Sequence, residues 1–166
     1  MVAVRFHGRG GQGAKTASRI LGTAAFVSGY VAQDSPIYGA ERRGAPVAAF
    51  TRFGREPIRE RGPIAHPDVI VVAEASLLDD AGAHVLEGMT EQTVLFVNSS
   101  LSTEAVRAHR FLPTQVSTRD VTGMALEQLG QREAISALLG AVAAKLVGLE
   151  WKPLQSAISR ELADLG

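Results

Sequence analysis

Apolar positions along this chain follow two rhythms, one of strands and one of helices. The run Val2-Ala3-Val4-Arg5-Phe6 predicts a first strand. Ala17, Ile20, Leu21, Ala24 and Ala25 then recur at helical spacing and predict a helix over 16–28, closed by Gly29. Residues 30–33 read as a short second strand, 34–46 as a loop, and 47–53 as a third strand ended by Gly54. The polar stretch 55–67, with three prolines, reads as a surface connection. The β-branched run in 68–73 predicts a strand covered on both faces, as in a parallel sheet. A helix over 76–86 with Leu77 and Leu78 facing in, a strand over 93–98 and a short strand over 114–117 follow. Helices over 120–131 and 131–148 meet around Gly130. A last helix over 152–165 accepts Pro153 in its first turn.

Strands alternating with helices, then a helical tail, predict an α/β fold. The expected form is a three-layer α/β/α Rossmann-like domain with a mainly parallel central sheet and a C-terminal helical segment. The length fits one domain over 1–166, and the chain shows no internal repeat or low-complexity linker. The helix over 133–148 is apolar on nearly every face, through Ile135, Leu138, Leu139, Val142, Leu146 and Val147. Such a helix is either central to the core or covered on one side by another chain.

Composition narrows the chemistry. The chain is 46% apolar and 20% charged, as a soluble globular protein is, with a formal net charge of zero. That balance supports neither nucleic-acid nor anionic-membrane binding. With no cysteine, the chain cannot form disulfides, run thiolate catalysis or ligate an iron–sulfur cluster. Its four histidines, His7, His66, His84 and His109, lack metal-ligand spacing, so no metal site is expected. No secretory leader precedes the first strand, and the apolar stretch 134–148 is shorter than the about 20 residues of a membrane span. The expectation is a cytoplasmic chain without a membrane anchor.

Two motifs carry candidate chemistry. Between the first strand and first helix stands Gly8-Arg9-Gly10-Gly11-Gln12-Gly13. Four glycines leave the backbone accessible, so its N–H groups can face an anion at a helix N-terminus. The spacing matches the dinucleotide fingerprint, and Asp34 stands near the end of the second strand, where a ribose acceptor is expected. The same glycines serve equally to pack a helix tightly on a sheet. Lys15-Thr16 does not complete a phosphate-binding P-loop, because its distance from the first glycine is wrong.

The second motif is Tyr38-Gly39-Ala40-Glu41-Arg42-Arg43-Gly44-Ala45. Arg offers a rigid fork to carboxylate or phosphate, and Tyr anchors interfaces. From 38 to 61 there are six Arg against three Glu, a local excess of +3 that suits an anionic ligand, an acidic partner face or plain solvation. Glu74, Asp79 and Asp80 follow the clearest strand, where open α/β sheets bind ligands; they read as acid/base groups or as solvated helix residues. Asn98-Ser99-Ser100, on the same edge, reads as a ligand contact or a helix cap. No serine, histidine and aspartate set assembles from spacing, and no catalytic residue is assigned.

Together, in this order and spacing, GxGGQG at 8–13 and YGxExRG at 38–44 resemble the gamma subunit of the 2-oxoacid:ferredoxin oxidoreductases, the third domain of the fused pyruvate enzymes. The resemblance extends through Pro67-Asp68, 94–98 and the Leu-Gly pairs at 129–130 and 139–140, nearly the whole chain. Ala45 replaces the last glycine of the loop motif. The asparagine that many relatives carry before the late Leu-Gly has no clear counterpart, with Ile135 or Ser136 near its place.

The resemblance implies a complex that oxidatively decarboxylates a 2-oxoacid with coenzyme A, giving acyl-CoA and CO2, with electrons passed to ferredoxin or another acceptor. Thiamine diphosphate, magnesium and [4Fe–4S] clusters would sit in alpha, beta and delta-type subunits, with none of these cofactors bound by this chain alone. Gly8, Gly10, Gly11, Gln12 and Gly13 would form a close-contact or cofactor loop. Tyr38, Gly39, Glu41, Arg42, Arg43 and Gly44 would form a subunit-interface or anion-contact loop. Pyruvate, 2-oxoglutarate, 2-oxoisovalerate and aryl oxoacids all remain open as substrates. The competing readings are a stand-alone Rossmann-like nucleotide-binding module, with Asp34 as ribose ligand, and a scaffold whose glycines only pack.

Overall fold

A computed structural model describes residues 1–36, 44–110, 112, 115–131 and 134–163. Six strands form one sheet: β1 (Val2–Arg9), β2 (Val31–Pro36), β3 (Pro46–Gly54), β4 (Val69–Val72), β5 (Val94–Asn98) and β6 (Val116–Arg119). Their order is β2-β3-β1-β4-β5-β6. β1, β4, β5 and β6 run parallel, whereas β2 and β3 form an antiparallel ribbon against β1. The α/β class and the mainly parallel sheet thus stand, and the antiparallel ribbon modifies the simple alternating scheme. The helices are α1 (Ala14–Val27), α2 (Thr103–Arg110), α3 (Val121–Leu129), α4 (Ile135–Leu146) and α5 (Trp151–Ala163).

Strand periodicity divides the core between the two sheet faces. Val4 and Phe6 of β1, Val69 and Val71 of β4 and Phe96 of β5 join one cluster with α1, α4 and α5. Their neighbours Ile70, Val72, Leu95 and Val97 point the other way, onto Leu77, Val85, Val106 and Val116. Each large side chain fully buried here contributes about 1.5–3 kcal/mol. Phe6, Ile20, Leu21, Ile70, Leu77, Leu95 and Leu139 are the largest of them.

The second face is built differently from expectation. Residues 76–86 do not form an α-helix; two short 3₁₀ helices, Ala75–Asp79 and Ala81–Ala83, stand there instead. The break is local chemistry. The Asp80 carboxylate accepts from the Gly82 N–H, a bond that competes with the helical ladder, and His84 turns left-handed at φ 48°. Leu77 is nonetheless buried as expected, and Leu78 packs at the cluster edge. α2 leaves almost no periodic signal in the sequence, since Val106 is its one buried side chain among the described ones; its cap is the Ser102 hydroxyl, which accepts from the Ala105 N–H.

α4 lies close on α1. A Cβ at Gly140 would stand 2.9 Å from Ile20 Cγ2 and 3.2 Å from the Ala17 carbonyl oxygen. α5 is tied to α1 by the buried Glu161, which meets Arg19 Nη2 at 2.8 Å and accepts from Thr23 Oγ1 at 2.7 Å. Among the described residues, no helix is long and apolar enough to cross a membrane. Ile20 has no room to retreat, so Gly140→Val should lower stability by about 2 kcal/mol through overpacking. Urea unfolding monitored by circular dichroism reads this directly, and an unchanged midpoint would contradict the α1–α4 contact.

Candidate functional site

β1 ends in the glycine loop, and α1 begins immediately after it. Gln12 closes the loop on itself: its N–H donates to the Arg9 carbonyl at 2.9 Å, and its Oε1 accepts from the Arg9 N–H at 2.8 Å. Gly8 still belongs to β1, with space for a Cβ only 3.2 Å from Ala14 Cβ. Gly11 has φ 92° and faces open space. Gly13, at φ 77°, caps α1; a Cβ there would fall 2.5 Å from Ser136 Cβ at the start of α4. Positive φ and the Ser136 Cβ both require glycine at this position.

The end of the second motif lies beside the first. Gly10 N–H donates to the Ala45 carbonyl at 2.9 Å, Gly44 N–H to the Gly10 carbonyl at 3.4 Å, and Arg9 Nη1 to the Gly44 carbonyl at 3.2 Å. Tyr38, Gly39, Glu41, Arg42 and Arg43 lie outside the described residues.

Glu74, just beyond β4, organises the polar side of the loop. Gln12 Nε2 donates to its Oε2 at 2.5 Å, Ser76 Oγ donates to its Oε1, and Arg9 Nε stands 3.9 Å away. The Ser76 hydroxyl first, then the Gln12 amide and Arg9, hold its carboxyl below the usual carboxylate range against the cost of partial burial. Arg9 also reaches Asp80 at 3.4 Å and Ser76 Oγ at 3.3 Å. A recess of about 490 Å³ opens here, lined by Gly11, Gln12, Gly13, Glu74, Thr122 and Ser136 among others. It presents a carboxylate acceptor beside bare loop backbone.

Asn98 is not aimed at a ligand. It is buried, donating to the Ala73 carbonyl and Thr122 Oγ1, each at 2.9 Å, and its Oδ1 accepts from the Val121 N–H at 2.8 Å, capping α3 from another strand. Asp34 is not brought to the loop. It pairs with Thr51, which pairs with Val4, so Asp34 lies one intervening strand away and deep below the sheet edge where Arg9 ends β1. Ser136 and Thr122, which line the recess, carried no assigned role in the sequence; only helix packing brings them here.

The opposite face holds a larger recess, about 730 Å³, with Arg5 and His7 in its wall. Arg5 is buried and clamps two segments onto β1, donating to the carbonyls of Ile64 at 3.2 Å, Val85 at 2.7 Å and Glu87 at 2.6 Å. Burial lowers its pKa, opposed by Glu87. Burial, reinforced by the charge of Arg5, pushes the His7 imidazole down to about 3, and its Nε2 has no hydrogen-bond partner. The sequence signal for both was available: Arg5 and His7 alternate with Val4 and Phe6. Among the described residues, no group of three His, Cys, Asp or Glu could hold a metal ion.

Comparison with known proteins agrees with these motifs. Residues 3–166 match the family model described as pyruvate ferredoxin/flavodoxin oxidoreductase. The chain is 47% identical over 150 residues to the pyruvate/ketoisovalerate oxidoreductases common subunit gamma of Pyrococcus furiosus, covering 90% of this chain and 80% of that one. It is 44% identical over 143 residues to pyruvate synthase subunit PorC of Methanothermobacter marburgensis, covering 86% and 76%. The crystal structure of the Thermotoga maritima pyruvate oxidoreductase subunit PORC superposes with a TM-score of 0.78 at 33% identity, over 99% of this chain and 85% of that one.

Two tests follow from this geometry. Gly13→Ala should destabilise the protein by about 2 kcal/mol, and Ser136→Gly in the same chain should recover only part of it, because the positive φ persists. Full recovery in denaturant titrations would mean that crowding alone fixes Gly13. For His7, an unfolded imidazole titrates near 6.5 while the folded one stays neutral to about pH 3. The unfolded state therefore binds the extra proton, and stability falls as pH drops below about 6.5. His7→Gln should flatten the change in urea midpoint between roughly pH 7.5 and 5.5; an unaltered slope would remove His7 as its source. By its motifs, its fold and these matches, the chain belongs to the gamma-subunit branch of the 2-oxoacid:ferredoxin oxidoreductase family.

Proposed function

We propose that this chain is the gamma subunit of a multisubunit 2-oxoacid:acceptor oxidoreductase, acting as one domain over 1–166 in the cytoplasm. The complex cleaves the bond between the oxo carbon and the carboxylate, releases CO2 and transfers the acyl group to the sulfur of coenzyme A. A pair of electrons and a proton leave, the electrons to ferredoxin or a related acceptor. The observation that carries this reading is the match to a common gamma subunit across nine-tenths of the chain.

Residues here do not fit the complex's redox cofactors. There is no cysteine for a cluster, and no acidic or histidine triad among the described residues for a metal. We assign thiamine diphosphate, magnesium and the [4Fe–4S] clusters to the alpha, beta and delta-type subunits, and expect no activity of the chain alone. Its part is to bind and position. Gly8, Gly10, Gly11, Gln12 and Gly13 form a cofactor-binding or close-contact loop, a reading favoured by the open space in front of Gly11. Tyr38, Gly39, Glu41, Arg42, Arg43 and Gly44 form an anion-contact loop at the subunit boundary, a reading favoured by the bonds of Gly44 and Ala45 to Gly10.

The test is purification of the tagged chain from its own host without oxygen, followed by iron and thiamine analysis and an oxoacid screen. Larger subunits, cluster iron and thiamine diphosphate should accompany it; a lone colourless chain would overturn the reading. In the assembled enzyme, Arg42→Ala with Arg43→Ala should raise the KM for coenzyme A or oxoacid by roughly tenfold or more. Unchanged assembly together with unchanged constants would remove the anion role.

A further inference from the structure

Resting on the subunit reading, we propose that the groove between α3, α4 and α5 seats an amphipathic helix of a partner subunit, one whose apolar stripe is flanked by carboxylates. α4 has two apolar faces. Ala137, Leu139, Gly140, Ala143 and Ala144 are buried, the inner face approaching α1 through Gly140. The other face, with Leu138 and Val142, stays half-exposed and lines a groove of about 450 Å³ together with Met124 and Trp151. Trp151 is 66% exposed, its indole at the rim of the groove. Exposed aromatic and aliphatic groups around such a trough are the usual anchors of a protein interface.

Three observations choose the occupant. The walls are helices, whose ridges and grooves accept another helix. The charged residues lining the groove are Arg119 and Lys145, both cations, so the complementary partner carries acids beside its apolar stripe. A second copy docking groove to groove would bring these cations together, which disfavours self-association.

The test places a photoreactive benzophenone side chain at Val142, and separately at Met124, in the full chain, and purifies each tagged complex from the host. Irradiation and peptide mass spectrometry should show attachment to a helical segment of one identified larger subunit, with Asp or Glu within a turn or two of the attachment point. Arg119→Glu with Lys145→Glu, checked for folding by circular dichroism, should cut the co-purifying subunit by roughly fivefold or more, and lysine at the partner's acids should restore it. An intact complex whose probes attach only to a second copy, to a small amphiphile or to nothing overturns the proposal while leaving the subunit reading in place. If the unmodified chain brings down no larger subunit, the subunit reading fails and this inference falls with it.

Discussion

The contact between α1 and α4, which two glycines allow to close, governs the arrangement of this molecule. Gly13 meets Ser136 at one end of it, and Gly140 meets Ile20 and Ala17 further along. A methyl group at either place would push the helices apart, since interiors at native density cannot absorb it. That close approach fixes where the glycine loop ends, sets Ser136 beside Gly13 in the wall of the polar recess, and turns the remaining face of α4 outward. Loop, recess and outer groove are thus consequences of one helix pair.

The loop is held by charge as well as by shape. Glu74 receives hydrogen bonds from Gln12 and Ser76, with Arg9 close by, and Arg9 in turn reaches Asp80 and the Gly44 carbonyl. The network joins the ends of β1 and β4 to the returning chain at the start of β3. Because the acid already engages the loop glutamine, the recess differs from a simple phosphate cradle, where bare N–H groups face outward with no carboxylate near. It suits a donor or a cation better than an anion at this one point.

Much of this was legible in the chain, for identifiable reasons. Elements with strong periodicity or β-branched runs, such as α1, β4, β5 and α4, read true because one residue pattern settles both their type and their burial. The 76–86 segment misled because Leu77 and Leu78 suggest an inward helix face, while Asp80 supplies a competing local bond. α2 escaped because it buries only Val106 among its described side chains, leaving almost no periodic signal. The glycine loop was readable from spacing, but its partners Glu74, Thr122 and Ser136 lie about 60 to more than 120 residues further along the chain, and only the tertiary fold brings them together. Asp34 was misleading for a topological reason: an antiparallel strand stands between β2 and β1, a feature that local pattern does not encode.

Two buried ionic groups in the fold are compensated in opposite ways. Glu161 faces a counter-ion, Arg19, at the edge of solvent, whereas Arg5 is neutralised by the dipoles of three carbonyls with no carboxylate bridged to it among the described residues. Mobile ions screen a partly exposed charge pair, but they do not penetrate to a guanidinium enclosed by peptide groups. The docking of α5 therefore responds to ionic strength, as the more exposed Arg9 network does, and the clamp beneath β1 is indifferent to it.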